Sequence, residues 1–344
     1  RKVLTCCREN GVEPIVTMMH FTSPKWLIEN GGWENEATVE AFKNYCQYVT
    51  EQLGDLMHYV CTINEANMGI QVAAISARYR AQMMAKMQRM QQGGAEEKKD
   101  LEGTAQVGMN FNDMMANMQK QKEENVEIFG TDTLQTFVSA RTPEGDMLVI
   151  RAHQAARAAM KAVKPELQIG LTLSLHDIQA QEGGEETAAK EWVDEFTHYV
   201  PYIKEDDFFG LQNYSRSLIG PNGILPVPEG AEITQMDYEY YPEGLEHVIR
   251  RVYEEMPMPI MVTENGIATA DDTRRVAYIQ TAMKGVENCI QDGIPVKGYM
   301  YWSMMDNFEW QKGFGMTFGL ISVDRTTQTR TAKPSLTVLG NYTK

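Results

Sequence analysis

Residues Tyr59–Met68, YVCTINEANM, decide how the rest of the chain is read. An apolar run of strand length reaches Ile63 and then presents an amide and a carboxylate, Asn64 and Glu65, side by side. Far downstream, PIMVTENGIA (Pro259–Ala268) repeats the pattern, with Glu264 and Asn265 at the end of an apolar run. Four further strand-like runs accompany these two, so the candidates are Val12–His20, Met57–Asn64, Leu167–Leu175, Asp206–Tyr214, Pro259–Glu264 and Pro295–Ser303. Helical periodicity fills the intervals. DTRRVAYIQTAMKGVENCIQDG places Val276, Ile279, Met283, Val286 and Ile290 on one face, with Gly293 past its end. TVEAFKNYCQYVTEQL does the same with Val39, Phe42, Cys46, Val49 and Leu53. A third helix is bracketed by Thr142-Pro143 at its start and Pro165 at its end.

Near-continuous apolar strands alternating with helices predict a parallel sheet, hence an α/β fold. Polar residues stand at the C-terminal ends of many of these strands: His20, Asn64 and Glu65, Gln212 and Tyr214, Glu264, and Trp302. In a (β/α)8 TIM barrel such ends converge on one mouth. In an open doubly wound sheet they are spread along an edge, with the ligand at the switch point only. No GxGxxG follows any strand, and the barrel is the expected fold. About six of its eight strand–helix units are countable, and RKVLTCCRENG reads as the tail of a helix, so two N-terminal units are expected to lie outside this chain. Residues 1–344 are expected to form one barrel domain. Within it, residues 71–142 are polar and Met-rich and read as a helix–loop–helix inserted after the fourth strand. Met83, Met87 and Met90 share a helical face, as do Met114 and Met118. Such stripes suit adaptable packing, and a lid beside Glu65 is the sharper alternative. The EEKKD run reads as solvated loop.

A formal net charge of −15 argues against a nucleic-acid partner. No apolar run reaches the ~18 residues of a membrane span. The five cysteines (Cys6, Cys7, Cys46, Cys61 and Cys289) are odd in number and lack zinc-type spacing. Reduced thiols and a cytoplasmic location are therefore expected.

A lone strand-end glutamate is more often a solvated or ion-paired residue than a catalyst. Two of them, each next to an Asn, suit a reaction that needs two carboxyl groups. Glycosidic cleavage is one: a protonated carboxyl assists the leaving oxygen and an ionised one attacks or activates water.

CTINEAN and VTENGIA resemble the two signatures of family 1 glycoside hydrolases, the β-glucosidase and β-galactosidase group. EPIVTMMHFTSPKWL, GGWEN, DFFGLQNYSR, ENGIATADDTRR, YWSMMDNFEW and TAKPS agree with that family in order, so the likeness covers nearly all of the chain outside the Met-rich segment. The resemblance implies Glu65 as general acid/base and Glu264 as nucleophile of a retaining mechanism, with carboxyl groups about 5–5.5 Å apart. It implies that Tyr214 hydrogen-bonds Glu264, and that His20, Asn64, Gln212, Trp302, Glu309 and Trp310 bind sugar. The register at Tyr214 is open, since the family reads Asn-Tyr-Tyr where this chain has Gln212-Asn213-Tyr214. A cis peptide between Trp302 and Ser303 is implied too. Small β-linked saccharides are the implied substrates, with no metal or organic cofactor. A glutamate at 309 disfavours phosphorylated sugars.

The chain departs from the family pattern in several places. Ala66 replaces a proline and Phe21 a tryptophan. The family's first strand supplies a glutamine to the sugar and its second an arginine beside the nucleophile; neither is found, and the missing charge is expected to raise the Glu264 pKa. The expected activity is a retaining exo-β-glycosidase. The alternatives are an inactive barrel fragment with residual sugar binding, and a two-glutamate barrel hydrolase acting on internal polysaccharide bonds.

Overall fold

A computed structural model of the chain describes residues 1–91, 111–132 and 134–343. The chain divides into two compact units, one of Arg1–His58 and Thr62–Leu167, the other of Tyr59–Cys61 and Gln168–Lys344.

The first unit holds α1 (Lys2–Glu9), β1 (Ile15–Met19), α2 (Lys25–Glu29), α3 (Ala37–Leu53), the end of β2 (Tyr59–Ile63), α4 (Met68–Gln91), α5 (Phe111–Phe129) and α6 (Pro143–Val163). α6 starts where its sequence predicts. The Thr142 hydroxyl accepts the Gly145 N–H at 3.0 Å, and Pro143 occupies the first turn, where a missing N–H costs nothing. Glu34 completes the cap by accepting both the N–H and the hydroxyl of Thr142, at 2.7 Å each. α3 packs along α6, but its buried stripe is rotated from the apolar pattern. Thr38, Phe42, Cys46 and Thr50 are buried, while Val39, Val49 and Leu53 are only partly covered. Two threonines can go inside because Thr38 gives its hydroxyl to Gly32 O and Thr50 to Cys46 O. α4 and α5 lie in the Met-rich segment. The loop expected between them, with its EEKKD run, lies outside the described residues, as do Met109 and the side chains of Met83, Met87, Met90, Met114, Met115 and Met118. Met84 is exposed.

The second unit is built on parallel strands. It contains the start of β2, β3 (Gln168–Gly170), β4 (Thr172–Ser174), β5 (Asp177–Ala180), α7 (Glu185–Glu195), α8 (Val200–Ile203), β6 (Phe209–Gln212), β7 (Arg216–Gly220), β8 (Gly223–Ile224), α9 (Gly244–Glu255), β9 (Ile260–Asn265), α10 (Asp272–Gln291), β10 (Val296–Tyr301) and α11 (Pro334–Gly340). β2 pairs with β3, β4 with β6, β6 with β9, and β9 with β10, all in parallel. The expected strand Leu167–Leu175 is thus two short pieces that change partner at Leu171. Val60, Ile169, Leu171, Leu173, Leu211, Ile260 and Val262 are fully buried, as continuous apolar strands covered on both faces require. A second small sheet of β5, β7 and β8 was not anticipated. Its strands are short and carry Asp177, Gln179 and Arg216, so no apolar run marks them.

α10 also rotates away from its apolar pattern. Asp271 caps it by accepting the Thr273 N–H at 2.9 Å, and Gly293 lies beyond its end at φ 87°. The buried side is Arg275, Tyr278, Ile279, Ala282, Val286 and Cys289, while Ile290 is exposed. A fully buried arginine and tyrosine displace Val276 and Met283 from the centre of the face. Arg275 is held by Asp272 and by the carbonyls of Thr269 and Thr317. All five cysteines are free thiols, and among the described residues no helix is long and apolar enough to cross a membrane.

Candidate active site

Three of the candidate residues lie together in the first unit. β2 ends at Ile63, and the Asn64 N–H donates to Met19 O of β1 at 2.9 Å. That bond carries the edge of the ladder one residue further and sets Asn64 beside His20. The Asn64 amide nitrogen donates to His20 Nε2 at 3.3 Å. Nε2 is then an acceptor and the neutral ring carries its proton on Nδ1. Burial lowers the His20 pKa and so favours this uncharged form.

Glu65 follows at φ 43°, in the left-handed region that non-glycine residues seldom occupy, and it is buried. Such backbone persists where surrounding structure enforces it, and it gathers at functional sites. The enforcement here is visible. Arg141 donates from Nη2 to Ala66 O at 3.0 Å, and its own N–H donates to Gly69 O at 3.1 Å. Gly69 leaves the space for this arginine, since a Cβ there would lie 2.0 Å from Arg141 Nε.

The His20 side is braced by rings. Phe21 meets the His20 ring edge-on at 5.0 Å and stacks on Phe137 at 5.8 Å. Phe137 in turn lies against Trp33 at 5.2 Å, and its face receives the Arg141 guanidinium at 4.4 Å. Residues 134–141, the end of the Met-rich segment, thereby support both the His20 loop and the Glu65 turn. Sequence reading allowed this segment a lid beside Glu65 but named neither Phe137 nor Arg141, because no local signal ties them to residues more than sixty positions upstream.

The second unit gathers Gln212, Tyr214, Glu264, Trp302 and Glu309. Glu264 lies near the end of β9, opposite Gln212 of β6. From Val262 to Glu264 β9 takes two steps where β6 takes one, and from Val262 to Asn265 three where β10 takes two. β9 therefore carries one extra residue against both neighbours. A bulge of this kind turns the following side chains away from simple alternation. The Tyr214 hydroxyl donates to Glu264 Oε2 at 2.6 Å, so Tyr214 is the phenol that meets this carboxylate. Asn213 points elsewhere, giving its amide to Leu175 O and Ser215 O, both at 2.9 Å.

Burial pushes the Glu264 pKa up to about 7; repulsion from Glu309 adds to this and the Tyr214 hydrogen bond opposes it. Burial is the leading cause of the rise. Burial also raises the Glu309 pKa, against a hydrogen bond from Trp302. The Trp302 N–H donates to Asn265 O at 2.9 Å, and the Trp302–Ser303 peptide is cis. A Cβ at Gly266 would lie 2.0 Å from Trp302 O, so glycine is needed for this approach. Trp310 opens a short 3-10 turn and is 39% exposed, less enclosed than the others.

The sequence profile of "Glycosyl hydrolase family 1" matches residues 1–92 and 205–342. The chain belongs to this family. Its crystallographic relatives include beta-glycosidase BGL167, at 41% identity and a TM-score of 0.81 over 99% of this chain and 75% of that one. The apo beta-glucosidase 1317 is 35% identical, with a TM-score of 0.82 over 99% of this chain and 76% of that one. The Beta-glucosidase of Agrobacterium sp. (strain ATCC 21400) is 26% identical over 361 residues, which are 96% of this chain and 71% of the relative. This family 1 member is accordingly an O-glycosyl hydrolase of the β-glucosidase-like type with the α/β TIM-barrel fold.

With the family known, the Tyr214–Glu264 bond predicts a pH effect. Of the three influences on Glu264, the phenol is the one that lowers its pKa. Tyr214→Phe should raise the acid limb of the kcat/KM profile, so that activity falls several-fold more at pH 6 than at pH 8. A pH–rate series on a nitrophenyl β-glucoside reads this directly.

Proposed function

We propose that this glycosyl hydrolase is a retaining exo-β-glycosidase that cleaves β-linked glucosides and galactosides by double displacement. Glu264 is the nucleophile. Its buried carboxylate, aimed by the Tyr214 hydroxyl at 2.6 Å, is the observation that carries the reading. Glu65 is the general acid/base: it protonates the departing oxygen as Glu264 attacks the anomeric carbon, then deprotonates the water that releases the sugar. The neutral His20 and Asn64 bind sugar hydroxyls, as does Gln212. Trp302 offers a stacking face, Trp310 helps frame the sugar, and Glu309, which takes a hydrogen bond from Trp302, chelates two hydroxyls. In the barrel this chain supplies six of the eight strand–helix units, with residues 71–142 inserted after the fourth strand. One relative, from Lacticaseibacillus casei at 25% identity, is a 6-phospho-beta-galactosidase. For this chain a carboxylate at 309 argues for unphosphorylated sugars, since it repels a phosphate.

The stereochemistry of the product tests the proposal. Proton NMR during hydrolysis of a nitrophenyl β-glucoside should show the β-anomer of glucose first, followed by mutarotation. Initial α-anomer rules out double displacement. No hydrolysis of any β-glycoside by the wild-type chain overturns the enzyme reading and favours a sugar-binding fragment.

A further inference from the structure

Glu264 is held by more than its phenol partner. Behind it, the Asn265 side chain is fully buried and bonded at every polar position. Its amide nitrogen donates to Asn213 O at 2.6 Å and to the Tyr278 hydroxyl at 2.9 Å, and its amide oxygen accepts the Tyr299 hydroxyl at 2.8 Å. The Tyr278 hydroxyl in turn donates a hydrogen bond to Tyr214 O at 3.2 Å. A continuous path therefore runs from Tyr299 on β10 through Asn265 on β9 and Tyr278 on α10 to the backbone of Tyr214, whose hydroxyl lies on Glu264. It crosses the place where the extra residue in β9 breaks the regular ladders on both sides. Side-chain bonds there reinforce the backbone bonds from Trp302 N–H to Asn265 O and from Asn213 N–H to Glu264 O.

We propose that Asn265, Tyr278 and Tyr299 form a positioning clamp that sets the distance between the Tyr214 hydroxyl and the Glu264 carboxylate. The inference rests on the reading of Glu264 as nucleophile. Asn265 ties the Glu264 backbone to β10, and Tyr278 ties Asn265 to the backbone of Tyr214, so the two partners cannot drift apart independently. Buried hydrogen-bond networks gain rigidity when every member is satisfied, as Asn265 is. The hydrogen bond of Tyr214 and the charge of Glu309 act on Glu264, and Tyr278 lies among the phenols of Tyr238, Tyr240, Tyr299 and Tyr301. None of these is a cation, so the clamp acts by placement.

Tyr278→Phe removes the hydroxyl that links Asn265 to Tyr214 and keeps the ring. It should lower kcat/KM for a nitrophenyl β-glucoside about tenfold at pH 6 and less at pH 8, with KM little changed, since small misplacements of a reacting group cost factors of this size. In the full chain labelled with 13C-carboxyl glutamate, the Glu264 titration midpoint should move upward, in the same direction as in Tyr214→Phe. The double variant should show no further movement beyond Tyr214→Phe, because both changes act on one bond. Tyr299→Phe, which loses a single hydroxyl, should give a smaller upward movement. Tyr301→Phe is the control: this neighbouring phenol bonds to the Ile267 backbone and interacts with Arg275, both outside the clamp, and should leave the midpoint in place. The clamp is overturned if Tyr278→Phe leaves the Glu264 midpoint unmoved, or if its effect adds in full to that of Tyr214→Phe. Full activity in Glu264→Gln sinks the nucleophile reading instead, and the NMR titration, which needs no turnover, keeps the two failures apart.

Discussion

Glu264→Gln should lower kcat/KM for a nitrophenyl β-glucoside by at least about ten-thousand-fold, the scale on which loss of a covalent nucleophile is felt. Glutamine keeps the shape and can still meet the Tyr214 hydroxyl, but it has no charge with which to attack. The same change should make the protein more stable at neutral pH. Burial raises the folded-state pKa of Glu264 to about 7, above the 4.5 of an ordinary glutamate. The stability this carboxyl contributes is therefore complete below the unfolded value and is lost as pH rises through the folded value. Glutamine has no such loss, so the melting temperature of Glu264→Gln should match wild type near pH 4 and exceed it increasingly up to pH 8. Thermal melts across that range, beside the rate assay, read both effects. As the proposed nucleophile, Glu264 in a site that resists its charge would exchange stability for reactivity. Loss of activity with no pH-dependent gain in melting temperature would place Glu264 in a more solvated setting than the structure shows.

Glu65→Gln should separate substrates by their leaving groups. Proton assistance is worth about a hundred- to ten-thousand-fold for a basic leaving group. Hydrolysis of an alkyl β-glucoside or a disaccharide should fall by about a thousandfold. A dinitrophenyl β-glucoside needs no proton to depart and should retain a rapid burst of phenol release, followed by slow turnover as the glycosyl-enzyme waits for a base. Azide, which needs no base, should restore the steady-state rate and yield the β-glycosyl azide. Stopped-flow traces with and without azide check each part. An equal loss with both substrates, with no burst, would make Glu65 a structural residue of its turn. The turn gives reason to use glutamine here: with Glu65 at φ 43° and Arg141 on Ala66 O, a residue of the same length disturbs the backbone least.

The six strand candidates, the Thr142-Pro143 start of α6 and the glutamates at two strand ends were all legible in the linear sequence. Each rests on local chemistry: apolar runs, a hydroxyl before a proline, a polar residue where an apolar run stops. The small sheet of β5, β7 and β8 escaped because its strands are too short and polar to show a period. In α3 and α10 the apolar pattern found part of each buried face, Phe42 and Cys46 in one and Ile279 and Val286 in the other, while the remaining apolar positions gave way to neighbouring residues. Threonines with satisfied hydroxyls, and an arginine bonded to Asp272 and two carbonyls, count as interior residues once their partners exist.

By itself, then, the sequence determined the fold class, the two glutamates and the family to which they point. Only the tertiary structure decided that Tyr214 and not Asn213 meets Glu264, that burial sets the Glu264 pKa, and that Asn265 is gripped by tyrosines from β10 and α10. The physical reason is range. Strand ends and helix caps depend on residues within a few positions of one another. The charge state and aim of a carboxylate depend on groups that meet only when distant segments pack, and nothing in the order of residues marks which hydroxyl will arrive.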